Sequence, residues 1–254
     1  MQFNYHTHTE LCGHAKGEMR EYVESAIAGG LKTLGFSDHA PQLFTDGRAY
    51  RDGTRMRPER INEYADNVRA LAKEYEKDIR ILLGFELEYY PDNYAEEKVF
   101  LSQVKPDYLI LGQHFIGDES TGFHVYGQSS DDFVLTAYVT QVLAALNTGD
   151  FLYVAHPDMA GFRYSEQAIE REYTRLCIGA KKRGIPLEIN LWGLRGERAY
   201  PNSRFFEIAA KVGNEVAFGF DAHMPEVFTD ENLKARGRAF AQALGLKVIE
   251  KPLI

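Results

Sequence analysis

The sequence is poor in cysteine and has no excess of positive charge. Only Cys12 and Cys177 occur among the 254 residues, so a disulfide framework is not expected. The 29 Lys and Arg residues against 37 Asp and Glu residues give a net charge of −8. This balance argues against broad nucleic-acid binding, because no surplus of cations exists to neutralise phosphates. A small anionic substrate is not excluded, since it needs only a metal and one or two arginines.

The sequence also lacks a long apolar run, a basic N-terminal signal and a linker. No apolar stretch approaches the ~20 residues of a membrane span, and Met1 leads directly into a strand-like run. We therefore expect a soluble, cytoplasmic protein with no membrane partner. No Pro- or Ser-rich segment divides the chain, so residues 1–254 are predicted to form a single domain.

What the sequence does contain is a regular alternation of short apolar runs and longer amphipathic stretches. This alternation is typical of βα units and predicts an α/β fold. Strands are predicted at residues 2–8, 33–38, 79–86, 108–114, 151–156, 185–190 and 215–221. Helices are predicted at residues 17–29, 58–77, 94–103, 131–148, 165–183, 203–213 and 230–243. Ser165 and Ser203 are the expected N-caps of the fifth and sixth helices.

Most of the apolar runs have a His, Glu or Asp at or just after their C-terminal ends. In a barrel of parallel strands these ends meet on one face, where active sites lie. Two side chains that are two residues apart on a strand point the same way, as in His6 and His8 or Asp221 and His223. Imidazole and carboxylate are ligands of divalent transition metals. The sequence thus predicts one polynuclear metal site, formed by His6, His8, His14, His39, Glu86, His114, His156, Asp221 and His223.

Six segments resemble successive motifs of the PHP (polymerase and histidinol phosphatase) family. They are HTHTELCGHA, FSDHA, LLGFELEYYP, LGQHF, VAHPD and GFDAH, in this order along essentially the whole chain. The resemblance implies a distorted (β/α)7 TIM-like barrel that holds two to three divalent ions, of Zn, Mn or Fe. It assigns one ion to His6, His8, Glu86 and Asp221, a second to His14, His39 and His223, and a third to His114 and His156, with Glu86 as a bridge to the first.

Three residues near these ligands have supporting roles in this interpretation. Glu88 is two residues from Glu86 and is expected to orient a ligating histidine. Asp38 would face the other side of a regular strand and is expected to be a structural hydrogen-bond acceptor. Cys12 is either a small buried residue beside the site or a thiolate ligand of zinc.

Clustered divalent ions indicate a phosphomonoester as the substrate, because they activate water and neutralise phosphoryl oxygens. His6, His8, Glu86 and Asp221 would be catalytic through the metal. Arg163 and Arg195, just past two strand ends, are predicted to bind the phosphoryl group and assist catalysis. His124 lies in the irregular stretch 115–130, one of two that should roof the site, the other being 40–57. It is a candidate substrate contact or general acid, or a neutral loop residue.

Within the family, the chain resembles the histidinol phosphatase branch in the segments RMRPERINEYADNVRALAKEY, GFELEYYPD and QHF. This implies hydrolysis of L-histidinol phosphate to L-histidinol and phosphate, a step of histidine biosynthesis. Three alternatives stay open. The first is another PHP-type phosphoesterase, acting on a nucleotide, a cyclic phosphodiester or phosphotyrosine. The others are a metal-dependent amidohydrolase and a non-catalytic module that binds metal or phosphate. The sequence does not indicate an oligomeric state.

Overall fold

Parallel strands alternate with helices along the chain, as the sequence predicts. The computed structural model describes residues 1–43, 54–117, 122–126 and 129–254. The strands are β1 (Phe3–Asn4), β2 (Thr33–His39), β3 (Arg80–Leu87), β4 (Tyr108–Leu111), β5 (Phe115–Ile116), β6 (Phe123–His124), β7 (Leu187–Asn190), β8 (Glu215–Gly219) and β9 (Lys247–Val248). The helices are α1 (Met19–Ala28), α2 (Ile61–Glu74), α3 (Tyr94–Ser102), α4 (Asp132–Leu146), α5 (Glu166–Lys182), α6 (Leu191–Arg195), α7 (Ser203–Val212) and α8 (Glu231–Ala243). Short 3-10 helices span Glu10–Cys12, Pro58–Arg60 and Pro225–Thr229.

The strands form a ring that closes on itself. β1, β2, β3 and β4 pair in parallel in that order, and β7 pairs in parallel with β8. Val154 joins the two sets, through parallel bridges to Leu111 of β4 and Leu187 of β7. A further parallel bridge between Thr7 and Ala222 joins the segment after β1 to the segment after β8 and closes the ring. This arrangement is the distorted seven-stranded barrel that the sequence predicts, with a fifth strand that pairs through Val154.

Three local features differ from the sequence-based expectation. The strand predicted at 108–114 ends at Leu111, and a short antiparallel pair, β5 and β6, follows it. Helix α6 was not predicted; the Asn190 side chain caps it by accepting a hydrogen bond from the Gly193 amide. Ser165 is the N-cap of α5, as expected, but the prediction for Ser203 was wrong. Asn202 caps α7 instead, accepting from the Arg204 amide. The predicted loop 40–57 lies partly outside the described residues.

The N-terminal half of the barrel interior is filled with aromatic side chains. The Tyr108 ring occupies the space above two glycines: a Cβ on Gly35 would lie 2.2 Å from its hydroxyl oxygen, and a Cβ on Gly84 would lie 2.4 Å from its ring. The Tyr108 hydroxyl lies 2.8 Å from the Tyr5 carbonyl oxygen, so it has a hydrogen-bond partner in the barrel. With this half packed, polar side chains can collect only at the opposite, C-terminal end of the strands.

The outer core lies between the strands and the helices. Helix α2 illustrates why: its buried residues recur at three- and four-residue intervals, which places them on one face. They are Ile61, Tyr64, Ala65, Val68 and Leu71. Among the described residues, no helix has the length and apolar character needed to cross a bilayer.

Candidate metal centre

The C-terminal ends of the strands bring the nine predicted metal ligands together. They come from the ends of six predicted strands or the segments that follow them, and they surround a cavity of about 700 Å³. All of them except His6 line this cavity. His6 is fully buried beneath it. His14 is the exposed member of the set, and its ring centroid lies 4.7 Å from that of His223 and 5.4 Å from that of His39.

Glu86 is the centre of the cluster. Its Oε1 lies 2.9 Å from His156 Nε2 and 3.7 Å from His114 Nε2. Its Oε2 lies 2.9 Å from His39 Nδ1 and 3.5 Å from the Nε2 atoms of both His6 and His8. One carboxylate therefore faces five imidazoles, which is the position that the sequence analysis gave to a bridging ligand.

Asp221 is the second carboxylate of the cluster. Its Oδ1 lies 3.1 Å from His8 Nε2, 3.3 Å from His223 Nδ1 and 3.5 Å from His6 Nε2. Because His8 also approaches Glu86, the two carboxylates share their histidine neighbours. The predicted first set, His6, His8, Glu86 and Asp221, is thus assembled in one place.

The ligand atoms that lie close together do not divide into the three sets that the resemblance implies. Five groups of His, Cys, Asp or Glu have ligand atoms within 4.8 Å of one another among the described residues. They are His6–His8–Glu86, His6–His156–Asp221, His8–Asp221–His223, His39–Glu86–His114 and His8–Cys12–Asp38. His39 therefore groups with Glu86 and His114, and His14 belongs to none of the five. The structure supports one continuous cluster, and which ligand holds which ion stays a prediction.

The donor atoms at the middle of the cluster fit divalent cations. His6 Nε2, His8 Nε2 and Glu86 Oε2 are buried, and within the described parts of the chain none of them makes a hydrogen bond of normal geometry, although charged neighbours lie close by. Buried polar atoms are normally satisfied, so orphaned atoms that face one another call for a ligand. Imidazole nitrogen and carboxylate oxygen together suit zinc, manganese or iron.

The pKa values of the cluster follow from burial and mutual charge. Burial disfavours the charged form of His6, but Glu188, Asp221 and Glu86 outweigh it and raise its pKa to about 10. Burial also raises the pKa of Glu86, yet the surrounding histidines hold it well below its usual range. For His223, burial dominates and lowers the pKa to about 3. The carboxylates are therefore ionised at neutral pH, and a bound cation would displace the protons held by the histidines.

The residues expected to support the ligands do contact them. Glu88 Oε1 lies 3.1 Å from His114 Nδ1, which confirms the expectation that Glu88 orients a histidine of the site. Asp38 accepts a hydrogen bond from the Thr9 hydroxyl, and its Oδ1 lies 3.6 Å from His8 Nδ1. Cys12 is buried, and its sulfur groups with ligand atoms of His8 and Asp38.

Glu188 is a contact of the cluster that the sequence analysis missed. It is fully buried on β7, and its Oε1 lies 2.8 Å from His6 Nδ1. Its Oε2 accepts hydrogen bonds from the His156 amide and the Asn190 side chain, both at 2.9 Å. The signal was present in the strand sequence LEIN, where two polar residues at i and i+2 interrupt an apolar run.

Two glycines make room for the carboxylates. A Cβ on Gly112 would lie 1.8 Å from Glu86 Oε1, and a Cβ on Gly219 would lie 1.7 Å from Glu188 Oε1. Only glycine allows the neighbouring strand to approach so closely. The positions of Glu86 and Glu188 therefore depend on residues that contribute no functional group.

The arginines of the cavity differ from those that the sequence analysis selected. Arg163 is exposed and is not among the residues that line the cavity, so the geometry does not support its predicted phosphate contact. Arg195 lies at the rim: its guanidinium is 5.6 Å from the Trp192 ring centroid, and its Nη1 is 2.9 Å from Met224 Sδ. Arg198 does line the cavity. Whether Arg195 or Arg198 reaches the cavity depends on the conformation of the loop that carries them, which the spacing of residues in the sequence does not reveal.

Other polar residues also reach the cavity wall. His124 lines it, as a substrate contact or general acid would. So do Lys16 and Arg55, two cations that the sequence analysis did not select. Arg55 is buried and forms an ion pair with Glu88, whereas Lys16 is exposed. Lys16 and Arg198 thus add positive charge to the wall of the cavity, whereas the charge of Arg55 is offset by Glu88.

The fold and the cluster together define a class of protein. The model of the PHP domain matches residues 4–191, and the chain belongs to this family. It is 27% identical over 247 residues to the histidinol-phosphatase of Bacillus subtilis (strain 168), with coverage of 86% of this chain and 92% of that protein. It is 29% identical over 227 residues to a "probable histidinol-phosphatase" of Deinococcus radiodurans, with coverage of 87% and 85%.

A solved structure shows the same fold. It is the histidinol phosphate phosphatase of Lactococcus lactis subsp. lactis, in complex with zinc, L-histidinol and phosphate. The two chains superpose with a TM-score of 0.73 at 20% identity, covering 98% of this chain and 95% of that one.

Proposed function

We propose that this protein is a metal-dependent phosphomonoesterase that hydrolyses L-histidinol phosphate to L-histidinol and phosphate. The observation that carries the proposal is the cavity, whose floor holds Glu86 and Asp221 among histidines and whose wall holds Lys16, Arg55 and Arg198. The relatives support the substrate, since the Bacillus protein is named a histidinol-phosphatase and the Lactococcus protein binds L-histidinol and phosphate.

The nine clustered side chains would hold two to three divalent ions, of zinc, manganese or iron. Zinc is the ion in the Lactococcus relative. Bound divalent ions lower the pKa of water toward neutrality and offset the negative charge of phosphoryl oxygens. Glu86, with five imidazoles around it, would be a central ligand of these ions.

The side chains of the cavity wall would bind and orient the substrate. Arg198 and Lys16 would donate to the non-bridging phosphoryl oxygens, since both line the cavity and neither has a buried carboxylate partner among the ion pairs of the described residues. Charge-assisted hydrogen bonds of this kind are among the stronger ones in proteins. Arg195 would contribute from the rim, and Arg163 is assigned no contact.

Proton transfer to the leaving alkoxide requires an acid in the wall. His124 is the candidate, because it is the remaining histidine of the cavity outside the nine-residue cluster. It is half-buried on β6 and packs edge-on against Phe115, with ring centroids 4.9 Å apart. His124→Ala should lower kcat more than it raises KM. If both constants are unchanged, His124 is not the acid.

The test is a comparison of substrates with the purified protein loaded with zinc or manganese. Phosphate release from L-histidinol phosphate should exceed release from nucleotides, a cyclic phosphodiester and phosphotyrosine. Faster release from one of these would reassign the substrate within the family. Amide cleavage without phosphate release would favour an amidohydrolase, and a metal-loaded protein without turnover would favour a binding module.

Two further predictions depend on this function. A biosynthetic phosphatase of this kind is expected in the cytoplasm, which cell fractionation would test. It is also expected not to bind nucleic acid, and a mobility-shift assay with single-stranded and duplex DNA would test that.

A further inference from the structure

Glu188 connects three of the nine clustered side chains from beneath the cavity. It contacts the His6 ring at Nδ1 and accepts a hydrogen bond from the His156 amide. The third connection passes through Asn190, whose Nδ2 lies 2.9 Å from Glu188 Oε2 and 3.1 Å from Asp221 Oδ2. His6, His156 and Asp221 also form one of the groups whose ligand atoms lie within 4.8 Å of one another.

Two of these three residues have an unfavourable backbone conformation. His156 has φ of +29° and Asp221 has φ of +49°, in the left-handed region that favours glycine. Such conformations persist only where the surrounding structure imposes them. Glu188 holds the His156 peptide directly, and Asn190 holds the Asp221 carboxylate. The same network therefore stabilises both strained positions.

The hydrogen bonds also determine which nitrogen of His6 can bind a metal. A carboxylate can only accept, so His6 Nδ1 must carry the proton that it donates to Glu188 Oε1. In the neutral ring that a metal requires, the remaining lone pair is then on Nε2, which lies 3.5 Å from both Glu86 Oε2 and Asp221 Oδ1. Glu188 accepts from Tyr153, His156 and Asn190 as well, so all its contacts are donors.

We propose that Glu188 is a positioning residue of the metal centre. One buried carboxylate fixes the tautomer of His6, the peptide of His156 and, through Asn190, the carboxylate of Asp221. It thereby sets the affinity of the site for divalent cations. This proposal takes one element from the proposed function, namely that the cluster binds divalent metal ions. It does not depend on the substrate.

Glu188→Gln is the informative substitution because it keeps the size of the side chain. The single oxygen of the new amide side chain would face the His156 backbone N–H, because that group can only donate a hydrogen bond. The NH₂ group of the side chain would then face His6 Nδ1 and force the proton of the ring onto Nε2, where a metal should bind. We expect the affinity for zinc to fall about 10- to 100-fold, the usual effect of losing a partner of a metal-ligating histidine.

Glu172→Gln is the matched control. Glu172 is a buried carboxylate of α5 that accepts from Thr136 and two arginines, and it does not line the cavity. Both variants lose a buried charge, so both should lose stability, but only Glu188→Gln should lose zinc affinity. Zinc dissociation constants are measured by competition with a chelating dye, and thermal unfolding gives the stability of each variant.

Zinc affinity within about twofold of wild type in a folded Glu188→Gln would overturn the proposal. So would an equal loss in both variants. If Glu188→Gln does not fold, ¹⁵N NMR of the zinc-loaded wild type decides, since the proposal requires a proton on Nδ1 of His6 and contradicts one on Nε2. These readouts measure metal binding and not turnover. A wild type that binds zinc tightly but releases no phosphate would therefore refute the proposed function and leave this inference intact.

Discussion

The glycine beside Glu86 offers a test of how precisely the cluster must be arranged. In Gly112→Ala the new Cβ would lie 1.8 Å from Glu86 Oε1 and 2.5 Å from its carboxyl carbon. Because carbon and oxygen do not approach closer than about 3 Å without a bond, the carboxylate must move by about 1 Å or more. Glu86 Cγ would also lie 2.5 Å from the new Cβ, so the whole side chain must turn away; because it is a side chain and not backbone, stability should fall less than function.

The cost should appear in function instead. Glu86 lies within 2.9 Å of His156 and His39, and a movement of this size separates it from both or forces them to follow. Misplacement of a reacting geometry by 1 Å can cost about 100-fold in rate, equivalent to about 2.7 kcal/mol. We therefore expect Gly112→Ala to lower kcat/KM for L-histidinol phosphate by about this factor, with reduced metal content.

The control is another glycine near the cavity rim. Gly196 follows α6 with φ of −85°, and a Cβ there would lie at 3.4–3.5 Å from the Arg198 side chain and the Trp192 carbonyl oxygen, which is ordinary van der Waals contact and displaces neither. Gly196→Ala should therefore keep wild-type kinetics. Steady-state kinetics and elemental analysis of both variants form the assay. If Gly112→Ala keeps full metal content and kcat/KM within about threefold of wild type, the reasoning about Glu86 is wrong.

Other predictions concern the substrate, the metal and pH. Arg198→Ala should raise KM for L-histidinol phosphate about 10-fold or more, because a hydrogen bond to a charged group contributes about 1.5–3 kcal/mol. Arg163→Ala should leave the kinetics unchanged. If instead Arg163→Ala raises KM and Arg198→Ala does not, Arg163 is the phosphate contact. Removal of metal by a chelator should lower Tm, since a ligand at 100 times its Kd stabilises by about 2.7 kcal/mol; calorimetry giving an unchanged Tm would contradict a metal bound in the folded state. Burial raises the pKa of Glu97 to about 7 from an ordinary value of 4.5. Between pH 4.5 and 7, Glu97 is therefore protonated in the folded protein and ionised in the unfolded chain. The free energy of unfolding accordingly falls as pH rises from about 4.5 to about 7. Glu97→Gln should match wild type near pH 4.5 in urea denaturation and exceed it at pH 8, by about 1–3 kcal/mol; a difference independent of pH would refute this.

The barrel was predictable because each strand carried its own signal. Apolar runs followed by amphipathic stretches placed six of the seven strands at their observed positions, although β1 is only two residues long. The fifth run, at 151–156, also pairs with both neighbours, through backbone hydrogen bonds such as Leu152 N–H to the Leu109 carbonyl and Glu188 N–H to the Val154 carbonyl. The segments that were missed are short: α6 has five residues and β5 and β6 have two each. Periodicity cannot indicate elements of this length, since a pattern must repeat several times before it can be recognised.

The cluster was predictable for a related reason. Ligands at the ends of parallel strands meet on one face whatever the loops do, so His6 and Asp221 come together although they are far apart in sequence. The cavity wall depends on loops, and there the choice of Arg163 was not supported while Arg198 was overlooked. Glu188 could have been recognised, because a carboxylate in a buried strand needs several donors around it.

The measurement that tests the central claim most directly couples elemental analysis of the purified protein with phosphate release from L-histidinol phosphate. The account predicts two to three divalent ions per chain and release that is faster than from other phosphomonoesters. A protein that retains no divalent ion after supplementation with zinc and manganese would contradict the metal centre. A metal-loaded protein that releases phosphate slowly and without preference would contradict the substrate.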